Sequence, residues 1–256
     1  MVPLALSMAL MGSLVALSAG LGLFIFMTRK ASVPAFAAVA LGSSVALVRD
    51  LLGEAALPES PLLDLNSFFL ALLFALGALT VLLIERAGIR ARLQGAEVAA
   101  AMAVALAIHT VAEAMEVGGV ASSPSISDLV QAVGGLYPGL SFALHKFVEA
   151  MIVGISFSAF ASRRPWRAPF LAFLALITLS GILGVALPYG ISLTSSGFFA
   201  FAAGASLYYI VRMGEASLGL ARYEAWKVAL LALAGFLLYY GVGAVHSLGA
   251  VEAEAL

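Results

Sequence analysis

Apolar runs of roughly twenty residues alternate along this chain with short polar or turn-rich breaks. A hydrocarbon core about 30 Å thick is crossed by a helix of about 20 apolar residues. That length picks out eight candidate spans, at 4–28, 33–53, 65–86, 96–118, 137–160, 167–187, 191–213 and 225–249. The breaks carry turn signals, among them Pro58 to Pro61, Ser122-Ser123-Pro124-Ser125 and Pro188 to Gly190. The expected fold is an all-α integral membrane protein, with residues 1–256 forming one transmembrane domain. The first apolar run lacks a cationic start and reads as a span, not as a cleaved leader.

Composition supports the same class. The chain is 63% hydrophobic and 11% charged, with a mean hydropathy of +1.09, whereas soluble domains carry about 25% charged residues. Basic residues then set the direction, because short loops rich in Lys and Arg stay in the cytoplasm. Arg29 and Lys30 follow span one, Arg86, Arg90 and Arg92 span three, Arg163, Arg164 and Arg167 span five, and Arg212, Arg222 and Lys227 span seven. Of thirteen Lys and Arg, only Arg49 and Lys146 fall elsewhere. The odd-numbered connections are therefore expected inside and both termini outside, with the plasma membrane as location. No basic run longer than a pair such as Arg163-Arg164 exists to meet nucleic acid.

Spans two and seven both end in Gly-Glu-Ala, at Gly53-Glu54-Ala55 and Gly214-Glu215-Ala216, on opposite sides of the expected membrane. This predicts inverted repeats, spans one to three against six to eight with four and five between them, a 3+2+3 arrangement.

The chemistry is concentrated in two related decapeptides. His109-Thr110-Val111-Ala112-Glu113-Ala114-Met115-Glu116-Val117-Gly118 is echoed by His145-Lys146-Phe147-Val148-Glu149-Ala150-Met151-Ile152-Val153-Gly154. Residues four apart on a helix are neighbours, about 5–6 Å between Cβ atoms, so His109 with Glu113 and His145 with Glu149 each form a two-ligand claw. The claws lie on antiparallel spans at similar depth, where two nitrogens and two oxygens can converge on Zn²⁺ or a similar divalent ion. With no cysteine in the chain, imidazole and carboxylate are the available ligands.

Four ionised side chains inside the bilayer, Glu113, Glu116, Lys146 and Glu149, cost on the order of 10 kcal/mol on the lenient insertion scale. Three carboxylates and one ammonium leave a formal charge of −2, which one divalent cation cancels. Glu116 and Lys146 are thus accessory candidates. The bland alternative makes His109 and His145 core histidines, with Lys146 paired to Glu116 or Glu113.

These motifs resemble the ZIP (Zrt/Irt-like) family of divalent metal transporters, whose fourth and fifth helices carry His-Asn-x-Pro-Glu-Gly-x-x-x-Gly and His-Glu-x-Pro-(His or Glu). Span seven, Ala200-Phe201-Ala202-Ala203-Gly204-Ala205-Ser206-Leu207-Tyr208, the Ser180-Gly181 pair of span six, and Asp50-Leu51-Leu52-Gly53-Glu54-Ala55 also resemble the family's patterns. The resemblance implies eight spans and transport of a divalent metal ion bound by His109, Glu113, His145 and Glu149. The departures are specific. Thr110 stands for the family's Asn, Ala112 and Val148 for its prolines, Lys146 for an oxygen ligand to a second metal, and Gly184 for a span-six glutamate. One metal is therefore expected, with the Lys146 ammonium replacing the second cation. The family's His-rich loop is absent, since residues 87–95 hold no histidine.

Asp50 and Glu54 either gather cations at a pore entrance or act as solvated anchors, with Arg49 a local partner for Asp50. His246 has no acidic neighbour at helical spacing and reads as a snorkelling or hydrogen-bonded side chain. Ser43, Ser44 and Ser206 read as packing residues, and Tyr208, Tyr209, Tyr239 and Tyr240 as interface belts or packing. The expected function is a permease moving one divalent ion by alternating access, not an enzyme. Its partners are the metal ion and the lipid bilayer, with a homodimer left open. Two rivals are a non-transporting relative with a structural or sensory site, and a membrane metalloenzyme of the di-iron kind. Against the latter, the order is His-x-x-x-Glu, and no His-Glu-x-x-His occurs.

Overall fold

The computed structural model describes residues 33–55, 65–90, 96–120, 147–149, 151–152, 154–156, 159, 167–187 and 195–254. The described residues are helical, without strands. In chain order, α1 is Val33–Glu54, α2 is Leu65–Arg90 and α3 is Ala96–Val120. The described helical residues within Phe147–Ser156 form α4, Arg167–Ala186 is α5 and Ser195–Glu254 is α6. Thus α1 to α3 match predicted spans two to four, and α4 and α5 fall in spans five and six. Predicted span one, at 4–28, lies outside the described residues.

Among the described residues, four helices are long and apolar enough to cross a membrane: α1, α2, α3 and the part of α6 from Glu224 to Ala244. Together with the composition, these mark a membrane protein. The exposed face of α2 is Phe68, Phe69, Leu72, Leu76, Leu79, Leu82 and Leu83, side chains suited to hydrocarbon and not to water. By contrast, α3 is the enclosed helix, with 78% of its apolar window buried against 17% for α2. Its alanine-rich, proline-free sequence has high helix propensity, and the helix runs unbroken through Ala112.

Glycines set the closest crossings. A Cβ added at Gly42 of α1 would overlap the backbone of Ala232 on α6, and one at Gly235 would overlap that of Val39. Earlier in α6, Gly204 stands in the same way against Phe74 of α2, and Gly77 against Phe201. Each crossing is a reciprocal pair in which one glycine from each helix admits the partner's backbone. Without a hydrophobic driving force in lipid, such close approach is how helices gain packing energy. Ser43 adds a hydrogen bond, its Oγ donating to the Gly235 carbonyl at 3.0 Å.

The sequence predicts a connection between spans seven and eight, yet the described chain stays helical from Ser195 to a bend at Glu224, where φ is −145° and ψ 55°. Residues 214–223 contain no proline and are rich in Ala, Leu, Glu and Arg, so helix propensity carries α6 past the end of the apolar run. Near this end, Arg212 is held on several sides. Its guanidinium pairs with the buried Glu85 of α2 and with Glu215, and its Nε donates to the Tyr208 hydroxyl at 3.1 Å.

Candidate metal centre

The central helix delivers two ligands from one turn. His109 Nε2 and Glu113 Oε1, four residues apart on α3, are 3.3 Å apart. From α4, Glu149 brings Oε1 to 2.6 Å from the same nitrogen. The three side chains offer ligand atoms that all lie within 4.8 Å of one another. His109 and Glu149 are 2% and 1% exposed, and the Glu113 side chain 15%. At 2.6 Å, His109 Nε2 and Glu149 Oε1 share a hydrogen bond.

The geometry fits a small divalent ion. Two ligands about 2.0–2.1 Å from a tetrahedral ion stand about 3.3 Å from each other. His109 and Glu113 already have that separation, while His109 and Glu149 are drawn into a hydrogen bond that an incoming ion would replace. Two carboxylates and an imidazole in so dry a place could hold a cation on electrostatic grounds, because buried like charges need compensation.

A third helix reaches the centre. Tyr239 of α6 is buried, and its hydroxyl donates to Glu149 Oε1 at 3.5 Å. It packs in the apolar core, as one of its two expected readings has it, and the contact with Glu149 is additional. Only its position in a Leu-rich span was visible in the sequence, and the contact joins residues ninety apart. Tyr240 does fit a belt: it is exposed, stacks on Phe236, and carries the Arg49 guanidinium 5.4 Å above its ring. Tyr209 is buried and donates to the Met102 carbonyl at 2.6 Å. Two fully buried hydroxyls, Thr110 Oγ1 and Ser206 Oγ, have no hydrogen-bond partner among the described residues.

The remaining candidates are placed unequally. His145 and Lys146 lie outside the described residues. Glu116 is on the backbone of α3 and His246 on that of α6. Asp50 is half-buried and Glu54 exposed at the end of α1. Gly184 of α5 lies against Val111 and Ala114 of α3, where a Cβ would strike the Val111 carbonyl and the Ala114 methyl. A longer side chain has no room there. No protein-family model matches the chain, and no curated protein matches it.

Proposed function

We propose that this chain is a ZIP-like permease that binds one divalent cation, zinc or a borderline ion like it, and moves it inward across the plasma membrane by alternating access. The observation that carries the reading is the buried meeting of His109, Glu113 and Glu149. Such a group is costly in a membrane unless a cation or proton serves it. His145, four residues before Glu149, is the fourth ligand by helical spacing, with Glu116 and Lys146 balancing charge nearby and Asp50 and Glu54 gathering cations at the outer end.

The full architecture is part of the proposal: eight spans, both termini outside, and inverted repeats in a 3+2+3 arrangement. Two observations support the repeat. The crossing of α1 with the later part of α6 and that of α2 with its earlier part use glycines in corresponding places, Gly42 with Gly204 and Gly77 with Gly235. Their partners correspond as well, Ala232 with Phe74 and Val39 with Phe201. Uptake into liposomes holding the purified chain, across Zn, Cd, Fe, Mn and Co, tests the reading. Accumulation of zinc or a neighbouring ion, lost in His109→Ala, is expected; no accumulation of any ion refutes transport.

A second reading, a fixed structural or sensory site, has one observation in its favour. Gly184 packs tightly on α3 beside the centre, which ties the ligand helix to α5. A chain that binds metal but accumulates none selects this reading.

A further inference from the structure

Reciprocal glycine contacts lock α1 and α2 to α6, whereas the helices of the metal centre are joined to one another. His109 meets Glu149 between α3 and α4, and two turns away the Ser156 hydroxyl of α4 hydrogen-bonds to Met102 Sδ of α3. Gly184 seats α5 on the same helix. The seam between the two groups is crossed by Tyr209 of α6, whose hydroxyl donates to the Met102 carbonyl at 2.6 Å. A carbonyl has two lone pairs, so this bond adds to the one inside the helix and fixes α3 lengthwise.

Ser206 stands three residues before Tyr209, on the same face of α6. It is fully buried, and its hydroxyl has no partner among the described residues. Ser44, two residues after Gly42 as Ser206 is two after Gly204, is equally buried, yet it donates to the Ala40 carbonyl at 2.7 Å. Ser180 does the same towards Leu176 at 2.8 Å. A buried hydroxyl left bare costs at least as much as one made bond gains. The register of α3 against α6 thus satisfies Tyr209 and leaves Ser206 unsatisfied.

We propose that Tyr209 and Ser206 form a two-position latch on the ligand helix α3. The tyrosine holds α3 in the register seen, and a second register, displaced lengthwise, gives the serine its partner on α3. Two arrangements so close in energy make a packed seam bistable. The inference deepens the transport reading and rests on it, because alternating access moves one group of helices against another. The latch then sets how fast α3 leaves its register. Both residues are positioning residues, acting through the backbone of α3.

The two substitutions that test this act in opposite directions. Tyr209→Phe removes the bond of the present register, whereas Ser206→Ala removes an unsatisfied hydroxyl from it and the stabilisation of the other. Spin labels on Leu171→Cys of α5 and Leu230→Cys of α6, both on exposed faces, read the displacement as an electron–electron distance in the full-length chain, which has no natural cysteine. Tyr209→Phe is expected to raise the ratio of second to first distance about fivefold, the factor for one net hydrogen bond. Ser206→Ala should lower it by a similar factor, and Ser44→Ala should leave it unchanged. In liposomes the maximal rate of zinc uptake is expected to follow the same order with KM unchanged. One distance common to all four proteins, or a Ser206→Ala variant that behaves as Ser44→Ala does, overturns the latch, and uptake rates that do not follow the distances overturn its part in turnover. The two readings fail separately: a wild type that accumulates no ion refutes transport, whereas the distances report on the latch whether or not an ion moves.

Discussion

His109 and Glu149, forty residues apart and on different helices, meet at 2.6 Å in a site where both are almost wholly excluded from solvent. One oxygen of Glu149 shares a hydrogen bond with His109 Nε2 and, at 3.5 Å, accepts from the Tyr239 hydroxyl. When a metal takes the imidazole nitrogen, the tyrosine still holds the carboxylate. Tyr239→Phe is therefore expected to weaken metal binding about fivefold, as befits one long hydrogen bond to a charged group, whereas Tyr209→Phe leaves affinity at this centre unchanged. Titration calorimetry with Zn²⁺ distinguishes them, and equal affinities would remove Tyr239 from the centre.

The glycine crossings predict a sharp contrast among residues that look alike. Gly42→Ala, Gly204→Ala and Gly184→Ala force backbones apart and are expected to cost about 1–3 kcal/mol each, the range for overpacking. Gly53 and Gly214 have nothing within 4 Å of an added Cβ, so Gly53→Ala and Gly214→Ala are expected to be neutral or stabilising by up to about 1 kcal/mol. Thermal unfolding in detergent checks this, and similar losses at all five positions would contradict the packing.

The Arg212 cluster gives a second stability test. Arg212, 22% exposed and also paired with Glu215, joins α6 to the buried Glu85 of α2, so removing Glu85 costs less than the about 3–5 kcal/mol of a fully buried pair. The Lys227–Glu224 pair is about 40% exposed on both sides, and such pairs contribute about 0–1 kcal/mol. Glu85→Gln should thus lower the unfolding temperature by far more than Glu224→Gln.

Much of this was legible in the sequence, because apolar length and i, i+4 spacing are local. They fix α1, α2 and α3 to within a few residues and pair His109 with Glu113. What was not legible depends on how helices rotate against one another. Gly42 and Gly53 look equivalent until Ala232 is seen against one of them. Tyr239 and Tyr240 are adjacent, yet one faces Glu149 and the other the outside. The basic residue Arg212 reads as a loop charge orienting the chain, but it lies within a continuous helix and is paired. Gly184, a missing ligand in the sequence, is a contact surface for α3 in the fold.

Direction across the membrane is tested by labelling. Cysteines introduced at Ser123 and Glu252 should react with an impermeant thiol reagent from outside intact cells, and one at Ala91 should not. The natural chain has no cysteine to confuse the result. Labelling at position 91 would overturn the eight-span topology.

The central claim is that His109, Glu113 and Glu149 hold a divalent ion, and zinc binding measured by calorimetry on the wild type, His109→Ala, Glu149→Gln and His246→Ala tests it most directly. The expected result is one ion per chain at this centre, with affinity reduced about 100-fold or more in the first two variants, as for loss of a converging ligand, and unchanged in His246→Ala. The same affinity and stoichiometry in all four proteins would contradict it.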